Sequence, residues 1–187
     1  MIEFKGKTVW ITGASSGIGK ALAVKLGSLG ANLVLSSRKE GQLMEVAQLC
    51  KTKVLVLPLD LEKSSNFPEK VVKVMSKFKS IDLLINNGGI SQRSRAYETS
   101  IEVDRKIMEV NYFGTIALTK SILPVMQKQK SGHIATISSS SGKFGFFLRS
   151  SYSASKFAQV GFFESLRLEE EKNNIFISIV FPFLVKT

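Results

Sequence analysis

A chain of 187 residues, 44% of them hydrophobic, can bury one substantial core, and nothing in its composition marks a second domain. No apolar run is long enough to cross a bilayer, and Met1-Ile2-Glu3-Phe4-Lys5 lacks a basic segment leading into an apolar one, so the sequence predicts a cytoplasmic protein with neither membrane span nor signal peptide. The lone Cys50 has no disulfide partner and, with His133 the only histidine, cannot anchor a zinc set of the usual kind; the net charge of +11 asks for an anionic partner or a solvated basic surface.

Lys7 to Thr12 is a β-prone run that stops at Gly13-Ala14-Ser15-Ser16-Gly17-Ile18-Gly19 and gives way to Ile18, Leu22, Leu26 and Leu29 at helical spacing before Gly30. Strand, glycine-rich turn and helix together let a backbone approach a pyrophosphate while the helix N-terminus offers it unpaired N–H groups. The spacing Thr-Gly-x-x-x-Gly-x-Gly is more specific than a lone Gly-x-Gly-x-x-Gly. A second strand, Asn32 to Ser36, leads into Ser37-Arg38-Lys39. A carboxylate at this strand end takes the ribose hydroxyls of NAD, whereas an arginine accommodates the 2′-phosphate of NADP. The missing acid and the present base both point to NADP(H), against the alternative that Arg38 merely opens the surface helix Glu40 to Cys50.

The third strand, Lys53 to Leu57, is closed by Pro58, and Asp60-Leu61 follows. Asp60 either bonds an adenine ring or caps the next helix, and spacing alone favours the cap. In that helix Val71, Val74, Met75 and Phe78 recur on one side and Lys70, Lys73 and Lys77 on the other, so this basic charge reads as a wet face. With no aromatics interleaved among basic strand residues and no helix-turn-helix signature, a nucleic-acid partner is not expected. The fourth strand, Ile81 to Ile85, runs into Asn86-Asn87-Gly88-Gly89, which suits a ligand crossing the sheet edge, although a plain turn accepts Asn-Gly equally well. Gln92 to Glu98 reads as a polar loop. A long helix is predicted from Ile101 to Gln129, in which Asn111 wants a reason and Pro124 should kink or end the helix.

The fifth strand, His133 to Ser138, opens into Ser139-Ser140-Ser141-Gly142, and a loop with Phe144, Phe146, Phe147 and Leu148 either joins the core or walls an apolar substrate pocket. Next, Tyr152 and Lys156 stand four apart, on one face of a helix. A fixed positive charge beside a phenol favours the phenolate, which makes the pair a candidate proton-transfer site, although such spacing also arises by chance. A sixth strand, Phe176 to Phe181, ends at Pro182. Six alternations of strand and helix predict an α/β domain with a doubly wound parallel sheet, helices on both faces and right-handed crossovers.

Thr12 to Gly19, Asp60, Asn86-Asn87-Gly88-Gly89, Asn111, Ser139 and Tyr152-Ser153-Ala154-Ser155-Lys156 stand in the order found in short-chain dehydrogenases/reductases, and the sequence resembles that family over essentially its whole length. The resemblance implies a Rossmann-type fold and an NADP(H) site. In its glycine turn Gly13, Ser15, Ser16, Gly17, Ile18 and Gly19 would contact the cofactor. Ser37, Arg38, Asp60, Leu61, Asn86 and Gly88 would do so along the sheet edge, with Thr187 at the nicotinamide carboxamide. Tyr152 would exchange a proton with the substrate oxygen, and Lys156 would lower the phenol's pKa and bond the nicotinamide ribose. Ser139, thirteen residues before Tyr152, would hold the substrate oxygen, and Asn111 would position a water linking Lys156 to solvent.

The same resemblance implies a small carbonyl or alcohol substrate, nearest to apolar ketones or aldehydes. It also implies a homodimer or homotetramer packed through the helices of Asn111 and Tyr152, with Phe157, Gly161 and Phe162 on the outer side. Three departures stand out: Gly88 replaces the family's usual alanine, Phe183 replaces the glycine after Pro182, and the chain ends at Thr187 where members continue through a substrate-covering segment and a last strand. The last departure leaves Phe176 to Phe181 as an expected open edge, and makes a dinucleotide-binding protein with little turnover the alternative expectation.

Overall fold

The computed structural model describes residues 3–183. Its strands are β1 (Thr8–Thr12), β2 (Asn32–Ser36), β3 (Val54–Val56), β4 (Leu83–Asn86), β5 (Gly132–Ile137) and β6 (Ile175–Val180). All pair in parallel, in the order β3-β2-β1-β4-β5-β6. Between them run α1 (Gly17–Ser28), α2 (Glu40–Leu49), α3 (Phe67–Phe78), α4 (Ile101–Met108), α5 (Gly114–Gln129) and α6 (Ser150–Glu170). Parallel strands need such crossovers, and the helices cover both faces of the sheet.

β1 is buried along its whole length, which its alternation explains. Val9 and Ile11 pack with Leu33 and Leu35 of β2 beneath α1 and α2, whereas Trp10 and Val34 face the opposite way, against α3, α5 and α6. The Trp10 indole N–H donates to Ser36 Oγ at 2.9 Å, and that hydroxyl donates to the Leu57 carbonyl at 2.7 Å. One buried polar chain thereby ties β1, β2 and the end of β3 together, and the tryptophan brings no unpaired donor into the core.

The basic face predicted for α3 is partly occupied. Lys70 Nζ donates to the Pro58 carbonyl at 2.6 Å and Lys77 Nζ to the Val54 carbonyl at 3.0 Å, so two of its lysines guard the edge strand β3. β6 is the other edge among the described residues, and its Phe176 and Val180 are exposed.

Three sequence expectations need correction. The single long helix is α4 and α5 joined by a π-helical stretch, Glu109–Phe113, with Asn111 at its middle. Such a stretch carries one extra residue per turn and occurs often at functional sites. Pro124 does not end α5, which continues to Gln129, so of the two expected outcomes only a kink is left; Pro124 and Lys120 are both exposed. Asp60 does not cap α3, which begins at Phe67: its Oδ1 accepts the Glu62 N–H at 3.1 Å in a local turn.

Candidate active site

The strand order reverses between β1 and β4, and the ends of these two strands are laced together. Thr12 Oγ1 accepts the N–H groups of Asn87 at 3.0 Å and Gly88 at 2.9 Å, and Asn87 Nδ2 donates to the carbonyls of Thr12 at 3.0 Å and Gly13 at 3.2 Å. Gly13 turns with φ +65°, and a Cβ there would lie 2.8 Å from Asn87 Nδ2, so glycine is needed to close the turn. A cavity of about 320 Å³ opens over it. Gly13, Ser15, Ser16 and Gly88 form one part of its lining, and Ser37, Arg38, Asp60 and Leu61 another. Lys39, which the sequence reading passed over, adds a second cation beside Arg38, and its N–H is held by Ser37 Oγ at 3.1 Å. An open backbone turn, a row of hydroxyls and two adjacent cations fit a phosphate-bearing dinucleotide. Asp60 lies in the same lining, where a carboxylate can meet an adenine amine.

Not every expected residue reaches this groove. Gly17 and Gly19 shape the turn but line neither cavity. The Asn86 side chain is 3% exposed and donates to Thr119 Oγ1 at 3.0 Å and Thr136 Oγ1 at 3.5 Å, so it points into the core and Asn87 takes the groove. Gly88 has a local reason: a methyl group there would lie 2.8 Å from Leu61 Cδ1, which fills that space. Thr187 lies outside the described residues.

A second cavity, of about 600 Å³, shares Asn87, Gly89 and Ile90 with the first, making one groove along the carboxyl ends of the strands. Ile18, Ser139, Tyr152 and Lys156 line it together. Ser139 Oγ accepts the Ser141 N–H at 3.1 Å, which leaves its own O–H free to donate to a ligand. The start of α6 is set by Gln92, from the loop after β4. Gln92 Oε1 accepts the Tyr152 N–H at 3.1 Å and its Nε2 donates to Ser150 Oγ at 3.4 Å, answering a helix-terminal donor that has no intrahelical partner. Arg149 Nη1 donates to Ser91 Oγ at 2.8 Å and to the Gln92 carbonyl, clamping the same loop. Of the aromatic loop only Phe146 lines the cavity. Phe144 stacks on it at 5.1 Å, whereas Phe147 is 85% exposed; Phe183, 6.3 Å from Phe146, supplies the second aromatic wall.

Lys156 is 4% exposed, and burial pushes its pKa down from 10.5 to about 8. Its Nζ donates to the Ile137 carbonyl at 2.9 Å and to Gln159 Oε1 at 3.1 Å, and lies 5.7 Å from the centre of the Tyr152 ring. The completely buried Asn111 side chain answers one backbone unit from both ends: Oδ1 accepts the Ile90 N–H at 2.8 Å and Nδ2 donates to the Ile90 carbonyl at 2.9 Å, with Ser155 Oγ at 3.0 Å. That pairing is the reason for an asparagine in the π-helical stretch. The Asn111 carbonyl accepts Gln159 Nε2 at 2.6 Å, so a side chain links Lys156 to the Asn111 backbone. The sequence reading missed Gln159; its one signal is a polar residue on the buried side of a helix.

A doubly wound sheet in this order, with a glycine turn at the reversal and a tyrosine–lysine pair on the helix after β5, defines a dinucleotide-binding site of the oxidoreductase kind. A family model described as short chain dehydrogenase matches residues 7–187, and the chain belongs to the short-chain dehydrogenase/reductase family. The Drosophila melanogaster protein named dehydrogenase/reductase SDR family protein 7-like is 45% identical over 192 residues, covering 99% of this chain and 59% of that protein. Human dehydrogenase/reductase SDR family member 7 is 45% identical over 174 residues, 89% of this chain and 51% of that one. The chain thus spans between half and three-fifths of these relatives' length.

Two solved structures are similar throughout. A metagenomic short-chain oxidoreductase in complex with NADP superposes with a TM-score of 0.91 at 30% identity, over 97% of this chain and 84% of that one. A Burkholderia phymatum short-chain dehydrogenase/reductase in complex with NAD gives 0.94 at 29% identity, over 99% and 68%. Among the described residues no helix is long and apolar enough to cross a membrane.

Proposed function

We propose that this chain transfers hydride between NADP(H) and a carbonyl or alcohol, working as a reductase of apolar ketones or aldehydes. The observation that carries this reading is the meeting of Tyr152, Ser139 and Lys156 in one cavity continuous with the phosphate-fitting groove. The nicotinamide supplies the hydride when bound. The Ser139 O–H donates to the substrate oxygen and orients it, and the Tyr152 phenol gives that oxygen a proton. Lys156, held by the Ile137 carbonyl and Gln159, keeps its ammonium opposite the charge that develops on Tyr152. Phe146, Phe183 and Ile90 offer an apolar wall that favours a hydrocarbon substituent on the carbonyl carbon. NADPH absorbance followed against a panel of ketones and aldehydes tests the reading, and turnover of at least one apolar carbonyl is expected. Tight NADPH binding without turnover across the panel would instead favour a dinucleotide-binding role.

The pair Arg38 and Lys39 supports NADP(H) over NAD(H), since both line the groove and neither takes part in an ion pair among the described residues. A charge-assisted phosphate contact contributes on the order of 1.5–3 kcal/mol, so NADPH should bind at least about tenfold more tightly than NADH. Arg38→Ala should remove most of that difference. Equal dissociation constants for the two cofactors by calorimetry would sink this assignment.

Self-association through α5 and α6 is also expected. Phe113 and Phe157 are 49% and 47% exposed, Tyr112 packs edge-on to Phe162 at 6.3 Å, and a Cβ on Gly161 would meet nothing within 4 Å. Exposed aromatic and small residues on paired helices suit a two-fold interface. Light scattering at micromolar concentration should give at least a dimer's mass, and Phe157→Glu should halve it; a monomeric wild type would end the proposal.

A further inference from the structure

Gln159 lies one helical turn past Lys156 on α6 and is 1% exposed. A carboxamide on the inward side of a helix is costly unless its polar atoms are answered, and an aliphatic residue would pack there without that cost. Both ends of this one are answered: Oε1 accepts from the Lys156 ammonium at 3.1 Å, and Nε2 donates to the Asn111 carbonyl at 2.6 Å. The two neighbours set the amide's orientation, because a cation needs the oxygen end and a carbonyl needs the nitrogen end. The glutamine therefore straps the ammonium to the backbone of the π-helical stretch, Glu109–Phe113.

The charges around Lys156 are few. Tyr152 on the same helix and Arg149 just before it are the other titratable or charged side chains lining the cavity. β5 presents the Ile137 carbonyl and the π-helical stretch presents Asn111, both neutral. Neither ion pair found among the described residues includes Lys156. In place of a carboxylate, the ammonium has two neutral oxygens, and Gln159 supplies the one that a side chain can change.

We propose that Gln159 is a positioning residue of the proton-transfer site, holding Lys156 Nζ beside Tyr152 and favouring its charged form through a fixed oxygen acceptor. This inference rests on the roles given to Tyr152 and Lys156 above. Two variants separate it from a packing role. Gln159→Met keeps the volume and removes the acceptor, whereas Gln159→Glu keeps an acceptor and adds a negative charge.

In the cofactor-free protein, lysine NMR titration, with the Lys156 signal assigned by its loss in Lys156→Met, should show that pKa falling by about one unit in Gln159→Met and rising in Gln159→Glu. The pH profile of NADPH-dependent turnover should move in step, with kcat in Gln159→Met down about twofold at pH 7 and recovering as the pH is lowered. Opposite shifts from two substitutions of similar size are not what loosened packing produces. Circular dichroism checks that each variant is folded, and either one folded is enough to read the titration. Lys156 titrating unchanged in a folded variant overturns the proposal, even if turnover drops. A wild type with no turnover would count against the oxidoreductase reading alone, because the titration in the cofactor-free protein still decides the role of Gln159.

Discussion

Tyr152→Phe is expected to lower carbonyl turnover by about a thousandfold or more while leaving NADPH affinity within about twofold, because positioned general acids contribute ~10²–10⁴ in rate. Among the described residues Tyr152 is the only phenol lining the cavity. Phenylalanine keeps the ring. Neither hydrogen bond of the Lys156 ammonium goes to the phenol, and the Tyr152 tie to Gln92 uses the backbone N–H, so the loss should be confined to chemistry. Steady-state rates beside fluorescence titration of NADPH make the measurement. A variant that kept more than about a tenth of wild-type kcat would remove Tyr152 from the mechanism.

Replacing Lys156 by methionine should abolish turnover too, but its larger lesson concerns stability. Burial holds the Lys156 pKa near 8 in the folded protein against 10.5 for an exposed lysine. Between those values the unfolded chain binds more protons than the folded one, so wild-type stability relative to Lys156→Met must rise with pH across that window. The full change is ~3 kcal/mol. Below pH 8 both states carry the proton, the difference is flat, and the wild type stands at its greatest disadvantage. The absolute difference is less informative, since methionine strands the Ile137 carbonyl and the Gln159 oxygen, at ~1 kcal/mol or more each. Urea melts of both proteins at several values between neutral and about pH 10.5 give the slope, and parallel curves would show that Lys156 is not desolvated. At neutral pH the ammonium is still the majority form, which its role beside Tyr152 requires.

The strands could be placed to within about two residues because each is an apolar run with its own stop: Pro58 after the third, Asn-Gly after the fourth, Pro182 after the sixth. Period two also said that Asn86 and Asn87 point to opposite faces. It could not say which face holds the groove; in the structure Asn87 lines it, while the Asn86 side chain turns to Thr119. Phe183 departs from the family pattern, and its ring lines the cavity 6.3 Å from that of Phe146.

What the sequence determined by itself was local. The glycine turn, the absence of an acid after the second strand, and the four-residue step from Tyr152 to Lys156 all act between near neighbours, where backbone geometry alone fixes which groups converge. Tertiary structure decided which atoms the buried polar groups meet. Gln92 reaches the Tyr152 N–H across 60 residues of chain, and Gln159 reaches the Asn111 carbonyl across 48. Helical period can mark a glutamine as facing inward, but its partner is set by how α6 packs on the π-helical stretch, and that packing depends on every element between them. Burial of Lys156 belongs to the same class: spacing put it beside Tyr152, while only the assembled layers removed it from water and lowered its pKa.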